Sequence, residues 1–315
     1  MAFSTTRARM SVARYLFLLP LLIAVACGAS TSKRPPEGSL EPDKFLFDNG
    51  SKDLNEKRWL RAREFFRQLV DNYPQSIYRA DAKLGIADTY SGEKTSESSV
   101  LAVNEYREFL ALYPTNKRAF EAQFKLGMVY HADMRAPERD QTETREAVNE
   151  LTTFVQRCAA SAECQASPLA AEGKLRLREA KDRLSMSEYR VGVFYYRQAW
   201  YPGAIERFSG IMKNDPDFTN RDGVYYHLAQ IFLKAGRPAE ALPYLDKLVK
   251  EFEKSEYLEP AQKLIDQIKA GTIKEGKTLY ENALVRRHGT GRRLGDSCCR
   301  TSTGQSPRRR ALHST

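Results

Sequence analysis

Cysteine is the residue type whose placement in this sequence most directly suggests chemistry. Cys27 follows Ala24-Val25-Ala26, and small residues ahead of a thiol suit a peptidase that cleaves before a cysteine carrying a diacylglyceryl group. Arg7, Arg9 and Arg14 precede it with no acid, and Tyr15 to Ala26 form an almost wholly apolar run. The run falls short of the roughly 20 apolar residues a membrane-spanning helix needs, and it reads as a cleavable h-region. The expectation is a lipoprotein signal peptide over 1–26 with lipid attached at Cys27. The alternative is an ordinary secreted protein in which Cys27 is incidental. Cys158 and Cys164 sit six apart in Cys-Ala-Ala-Ser-Ala-Glu-Cys. In an oxidising compartment such a pair can close a small disulfide loop, and otherwise it stays as two thiols. Cys298 and Cys299 carry no assignment.

Catalytic chemistry finds no foothold. The four histidines are His131, His227, His288 and His313. Neither His131 nor His227 has a cysteine, glutamate or histidine at metal-ligand spacing. No glycine-rich phosphate loop and no Gly-x-Ser-x-Gly elbow occurs. The expectation is a binding protein with no catalytic residues, no metal and no cofactor.

The formal net charge of +10 suggests nucleic acid until its distribution is followed. Residues 1–26 contribute three arginines and no acid, and residues 286–315 contribute eight arginines against Asp296. Those two segments account for the whole excess, so residues 27–285 are balanced and carry no footprint for a nucleic acid.

A repeat positions the remaining candidates. Asn72-Tyr73-Pro74-Gln75-Ser76, Leu112-Tyr113-Pro114-Thr115-Asn116, Asn214-Asp215-Pro216-Asp217 and Glu251-Phe252-Glu253-Lys254-Ser255 close four segments with similar wording. They align on the 34-residue helix-turn-helix template of tetratricopeptide repeats. The template asks for a small residue at its eighth position, alanine at its twentieth, a large apolar residue at its twenty-fourth and proline at its thirty-second. The first repeat supplies Gly50, Ala62, Phe66 and Pro74; the fourth supplies Gly192, Ala204, Phe208 and Pro216. The second gives Gly85, Ala102, Tyr106 and Pro114 with its turn lengthened by five residues; the third gives Gly127, Ala147 and Leu151 with its turn lengthened by eight. The fifth gives Ala229, Ala241, Leu245 and Glu253. Small residues let the two helices of a hairpin approach, a large one fills the space beside them, and proline ends the second helix. One hairpin cannot bury its own apolar face, so an all-α, tetratricopeptide-like solenoid of about five hairpins is expected.

The organisation follows. A lipidated, Ser- and Pro-rich tether spans 27–42, and repeats one to three span 43–157. A loop over 158–169 precedes repeats four and five with capping helices over 170–285. The basic tail 286–315 is expected to be disordered. Arg135 to Thr144 is a charged insertion in the third repeat. A helix from Ala170 to Met186 is expected to run into, or hinge against, the first helix of repeat four. Glu259 to Ile268 should cap the solenoid with Leu264 and Ile265 inward, and Thr272 to Val285 offers one further helix.

In this architecture the first helices line a concave groove. The register puts Phe47 and Ser51, then Arg79, Ala82, Ile86 and Thr89, then Glu121, Phe124, Met128 and His131 along it. Phe47, Arg79, Ile86, Phe124, Met128 and His131 are the peptide-groove candidates, because aromatic rings, methionine and single charges suit an extended peptide. The alternative is that Phe47, Phe124 and Met128 pack between hairpins.

Arg183-Leu184, Glu188-Tyr189, Val191, Tyr195-Tyr196-Arg197, Trp200, Ala204, Arg207-Phe208 and Pro216, with the Tyr-Pro-x-Ser ending and the lipobox, carry a more specific likeness. Over roughly residues 40–268 the chain resembles the BamD family, tetratricopeptide lipoproteins of the bacterial outer-membrane β-barrel assembly machinery. The resemblance implies five repeats held by a lipid anchor at the periplasmic face of the outer membrane, as Gly28 after the cysteine also suggests for bacterial lipoproteins. It implies docking of the C-terminal half to a β-barrel insertase with periplasmic repeat domains. It also implies contact of the N-terminal repeats with unfolded outer-membrane proteins. On the helix with Ala204 and Phe208, Arg207 becomes the insertase-contact candidate, as an ion-pair donor. The long third repeat and the basic tail depart from the family pattern. A periplasmic tetratricopeptide adaptor for peptidoglycan or cell-division proteins remains the alternative, and a secreted hydrolase subunit the more distant one.

Overall fold

The computed structural model describes residues 40–273 and Pro35. The signal segment, Cys27, most of the tether, the basic tail and nearly all of the proposed helix after Thr272 lie outside the described residues.

Twelve helices and no strand occur among the described residues. They are α1 (Pro42–Asn55), α2 (Trp59–Asn72), α3 (Arg79–Glu93), α4 (Ser96–Leu112), α5 (Ala119–Ala132), α6 (Thr142–Ala159), α7 (Ala162–Ala166), α8 (Pro168–Arg197), α9 (Tyr201–Asn214), α10 (Arg221–Lys234), α11 (Pro238–Glu251) and α12 (Leu258–Lys269). The first and second helices of the five hairpins are α1–α2, α3–α4, α5–α6, the later part of α8 with α9, and α10–α11. The third-repeat insertion lies between α5 and α6, its last residues forming the start of α6. The short helix α7 occupies part of the 158–169 stretch that was expected to be loop. The helix expected from Ala170 is one continuous helix, α8, through Arg197.

The small-and-large pattern has a direct steric basis. A Cβ placed on Gly50 would meet the Phe66 ring at 2.6 Å, and one on Gly85 would meet the other edge of the same ring at 2.6 Å. Gly127 stands in the same relation to Leu151 at 2.8 Å. The twentieth-position alanines Ala62, Ala102, Ala147, Ala204 and Ala241 are fully buried. So are the twenty-fourth-position residues Phe66, Tyr106, Leu151, Phe208 and Leu245.

Helix ends follow the prolines. After α2, α4 and α9 the capping residues Tyr73, Tyr113 and Asp215 take φ of −126°, −130° and −142°, as the residue before a proline is driven to do. Phe252 after α11 has φ −131° although Glu253 replaces the proline, so the exit geometry belongs to the repeat and the proline reinforces it. The serine of the repeat ending ties the turn back. Ser76 Oγ donates to Asp43 at 2.7 Å and Ser255 Oγ to Asp222 at 2.5 Å, each across 33 residues. The same oxygens accept from the backbone N–H of Tyr78 and Tyr257, which begin the next helix.

The chain divides into two compact units. The first holds residues up to Ala132 with Glu150–Gly173, and the second holds Asp133–Asn149 with Lys174 onward. The first has its core in Leu46, Phe65, Phe66, Leu69, Leu84, Tyr106, Phe109 and Leu126. The second has its core in Phe208, Ile211, Phe218, Leu228, Ile231, Leu245, Leu248 and Ile265. Capping helix α12 supplies Ala261 and Ile265 to that core, with Leu264 half-buried against it.

Candidate functional site

The groove row of the first unit divides by burial. Ile86 and Phe124 are 3% and 7% exposed, and Phe124 packs against Phe154 with ring centroids 5.3 Å apart. Both are buried, Ile86 within the core of the first unit and Phe124 against Phe154 on the second helix of its own hairpin, which corrects their place among surface contacts and leaves them little surface to offer a peptide. Phe47 is half-buried, stacked on Tyr78 at 5.0 Å and tilted against Phe66 at 6.1 Å. Arg79 is half-buried, with Nη1 donating to the Tyr113 hydroxyl at 3.2 Å. Met128 and His131 are half-buried on α5. Thus Phe47, Arg79, Met128 and His131 keep surface to offer.

Charge along this row is organised. Arg118 reaches Asp81 at 3.0 Å and Glu121 at 2.7 Å, and Lys125 bridges Glu121 at 2.7 Å and Asp88 at 2.8 Å. The Tyr106 hydroxyl donates to Asp88 at 2.7 Å, and burial next to that carboxylate holds its proton firmly. Burial pushes the Glu121 carboxyl up, but Arg118 and Lys125 outweigh it and bring it down to about 2. At neutral pH Glu121 and Arg118 are thus fixed charges, suited to orienting a ligand.

The second unit carries an aromatic block that the sequence reading did not assign. The His227 imidazole lies among Tyr189, Tyr196, Phe208, Tyr226 and Tyr257 at centroid distances of 5.2 to 6.1 Å. Its Nδ1 lies 2.7 Å from the Gly223 carbonyl oxygen. Burial lowers its pKa. Outside this block Tyr195 meets Trp200 edge-on at 4.5 Å, and Trp200 and Phe194 are more than half exposed. Arg207, the ion-pair candidate, has Nη1 2.7 Å from Glu188, with both side chains 43% exposed. A partner carboxylate at Arg207 would therefore compete with an existing one.

Cys158 and Cys164 form a disulfide that joins the end of α6 to α7, with both cysteines buried. Among the described residues no group of three His, Cys, Asp or Glu side chains is placed to hold a metal ion. Among them, too, no helix is long and apolar enough to cross a membrane.

Residues 40–237 match the family model of the YfiO outer membrane lipoproteins, and residues 224–255 match that of the tetratricopeptide repeat. The chain belongs to the YfiO (BamD) family. Relatives are named outer membrane protein assembly factor BamD. That of Caulobacter vibrioides is 25% identical over 221 residues, covering 69% of each chain. That of Rickettsia prowazekii is 21% identical over 78% of this chain and 94% of its own, and that of Vibrio cholerae 23% over 64% and 82%. The YfiO match takes in the groove row, the aromatic block around His227 apart from Tyr257, and the Arg207–Glu188 pair. It also spans the third-repeat insertion and the Cys158–Cys164 disulfide.

Proposed function

We propose that this chain is a non-enzymatic scaffold in the assembly of β-barrel proteins into the outer membrane. The observation that carries the reading is membership of the YfiO (BamD) family across the repeats, with relatives that bear the name of an assembly factor. The helical solenoid supports it, since stacked hairpins supply extended binding faces.

In this reading lipid on Cys27 holds the chain at the periplasmic face of the outer membrane, each buried methylene contributing about 0.8 kcal/mol. Tethering raises the local concentration of the solenoid beside a membrane-embedded insertase. The N-terminal repeats contact unfolded substrate through Phe47, Arg79, Met128 and His131. The C-terminal repeats dock the insertase near Arg207, whose guanidinium exchanges Glu188 for a carboxylate of the partner.

The test is an affinity purification of the full-length protein from detergent-solubilised native membranes, with Cys27→Ser and Arg207→Glu controls. Recovery of a large β-barrel protein with periplasmic repeat domains, reduced by Arg207→Glu, is expected. Recovery of peptidoglycan-binding or division proteins in its place would overturn the reading.

A further inference from the structure

Four arginines recur every seventh residue along α8: Arg176, Arg183, Arg190 and Arg197. Seven residues is close to two turns, so the four share one face of the helix. Three are already engaged. Arg176 pairs with Glu179 at 3.1 Å. Arg183 donates to the main-chain oxygen of Arg135 at 2.8 Å, and Arg190 pairs with Glu138. Arg135 and Glu138 belong to the third-repeat insertion. The chain thus lays an irregular segment of its own along the arginine face, held by one carbonyl and one carboxylate.

The last arginine lies beyond that cover. Arg197 is exposed and makes no ion pair among the described residues. Phe194, one turn earlier, has 57% of its surface open. On α10 the exposed Lys234 has Nζ 4.7 Å over the Tyr196 ring and 5.9 Å from that of Tyr201, and it too has no carboxylate partner among the described residues. Burial lowers the His227 pKa and the Arg197 charge lowers it further, while His227 packs edge-on to Tyr196 at 5.2 Å. Both cations, neither with a carboxylate partner among the described residues, thus adjoin Tyr196: Arg197 follows it on α8, and Lys234 lies over its ring.

We propose that Phe194, Arg197 and Lys234, with Tyr196 between the two cations, dock an extended acidic segment of a partner polypeptide. Carboxylates of that segment pair with Arg197 and Lys234, and an apolar side chain lies on Phe194. Charge complementarity selects an acidic occupant. The insertion selects polypeptide, because this same face already holds a main-chain carbonyl at Arg183 and a carboxylate at Arg190. The site continues that row by one heptad. It stands independently of the barrel-assembly reading, since an acidic segment from any envelope protein would satisfy it.

The test uses the full mature chain in detergent and a fluorescein-labelled peptide, Gly-Glu-Phe-Glu-Phe-Glu-Gly, followed by anisotropy. A second peptide replaces each glutamate with glutamine. Saturable binding of the glutamate peptide is expected. It should weaken by about tenfold or more for the glutamine peptide, for the Arg197→Glu/Lys234→Glu double variant, and with rising salt. Phe194→Ala, a mild change at an exposed position, should weaken it several-fold with the circular dichroism melt unchanged. Absence of saturable binding overturns the proposal. So does equal affinity for the two peptides, or unaltered binding by both the double variant and Phe194→Ala. Binding to anionic phospholipid vesicles that depends on Arg197 and Lys234, without binding to the peptide, would assign the surface to lipid and overturn it as well.

Discussion

Phe208 fills the volume that a side chain on Gly192 would need: its Cε1 lies 2.6 Å from where a Cβ would stand. The ring is fully buried between α8 and α9, with Tyr189 at a centroid distance of 5.8 Å on one side. Gly192→Ala therefore sets two effects against each other. Alanine gains about 1 kcal/mol of helix propensity, whereas overpacking a buried ring costs about 1–3 kcal/mol. The ring has little room to retreat, so a net loss of about 1 kcal/mol is expected in chemical denaturation. Phe208→Leu in the same chain should recover part of it. A stabilised Gly192→Ala variant would mean that the hairpin tolerates a wider spacing.

The turn between the two helices of a hairpin uses a left-handed residue at the same place in three repeats. Lys57, Ala199 and Gly236 have φ of 59°, 56° and 70°. Only the last is a residue type that adopts this region freely. Relief of about 1–2 kcal/mol of backbone strain at Ala199 exceeds the roughly 0.4–1 kcal/mol of added chain entropy that glycine brings to the unfolded state. Ala199→Gly should thus raise the melting temperature, and Gly236→Ala should lower it. The reverse order in differential scanning fluorimetry would contradict the account.

Glu121 makes stability fall in acid. Its folded-state pKa is about 2, below the ordinary 4.5, because Arg118 and Lys125 outweigh the effect of burial. The unfolded chain takes up the proton first as pH falls. The contribution is therefore complete above about pH 4.5 and is lost on the way down to about 2. With 24% of the side chain open to solvent, its size is about 2 kcal/mol. Glu121→Gln should lower stability at pH 7 and flatten its dependence between those limits, as urea titrations across the range would record. An unchanged acid profile would remove Glu121 from the list of causes.

The disulfide closes a six-residue separation between Cys158 and Cys164. Chain-entropy arguments assign about 2 kcal/mol to so short a loop. Reductant should lower the melting temperature of the parent protein and leave a Cys158→Ala/Cys164→Ala variant unaffected. Equal sensitivity of the two would place the effect elsewhere.

Much of the fold was legible because its steric code is short-range. A glycine, an alanine and a large apolar residue at fixed intervals meet across one hairpin, and Gly50, Ala62 and Phe66 need no distant information to do so. The groove row was legible only in part. Register gives the direction in which Ile86 and Phe124 point, whereas their burial depends on what packs over them. For Phe124 it depends on Phe154, displaced in sequence by the longer turn of the third repeat. The salt-bridged insertion was read as a charged interruption, and its attachment through Glu138 and Arg135 could not be foreseen from local pattern. The heptad of arginines on α8 was visible in the sequence, and it was the one signal that could have located that surface.

The central claim is a role in outer-membrane protein assembly, and the most direct measurement is depletion of this chain in the cell that makes it. Newly synthesised β-barrel proteins would be pulse-labelled and scored by heat-modifiable gel mobility in the outer-membrane fraction. A loss of the folded forms, with unfolded barrels accumulating and restoration by the parent gene, is the predicted result. Normal folding and insertion of those barrels after depletion would contradict the account.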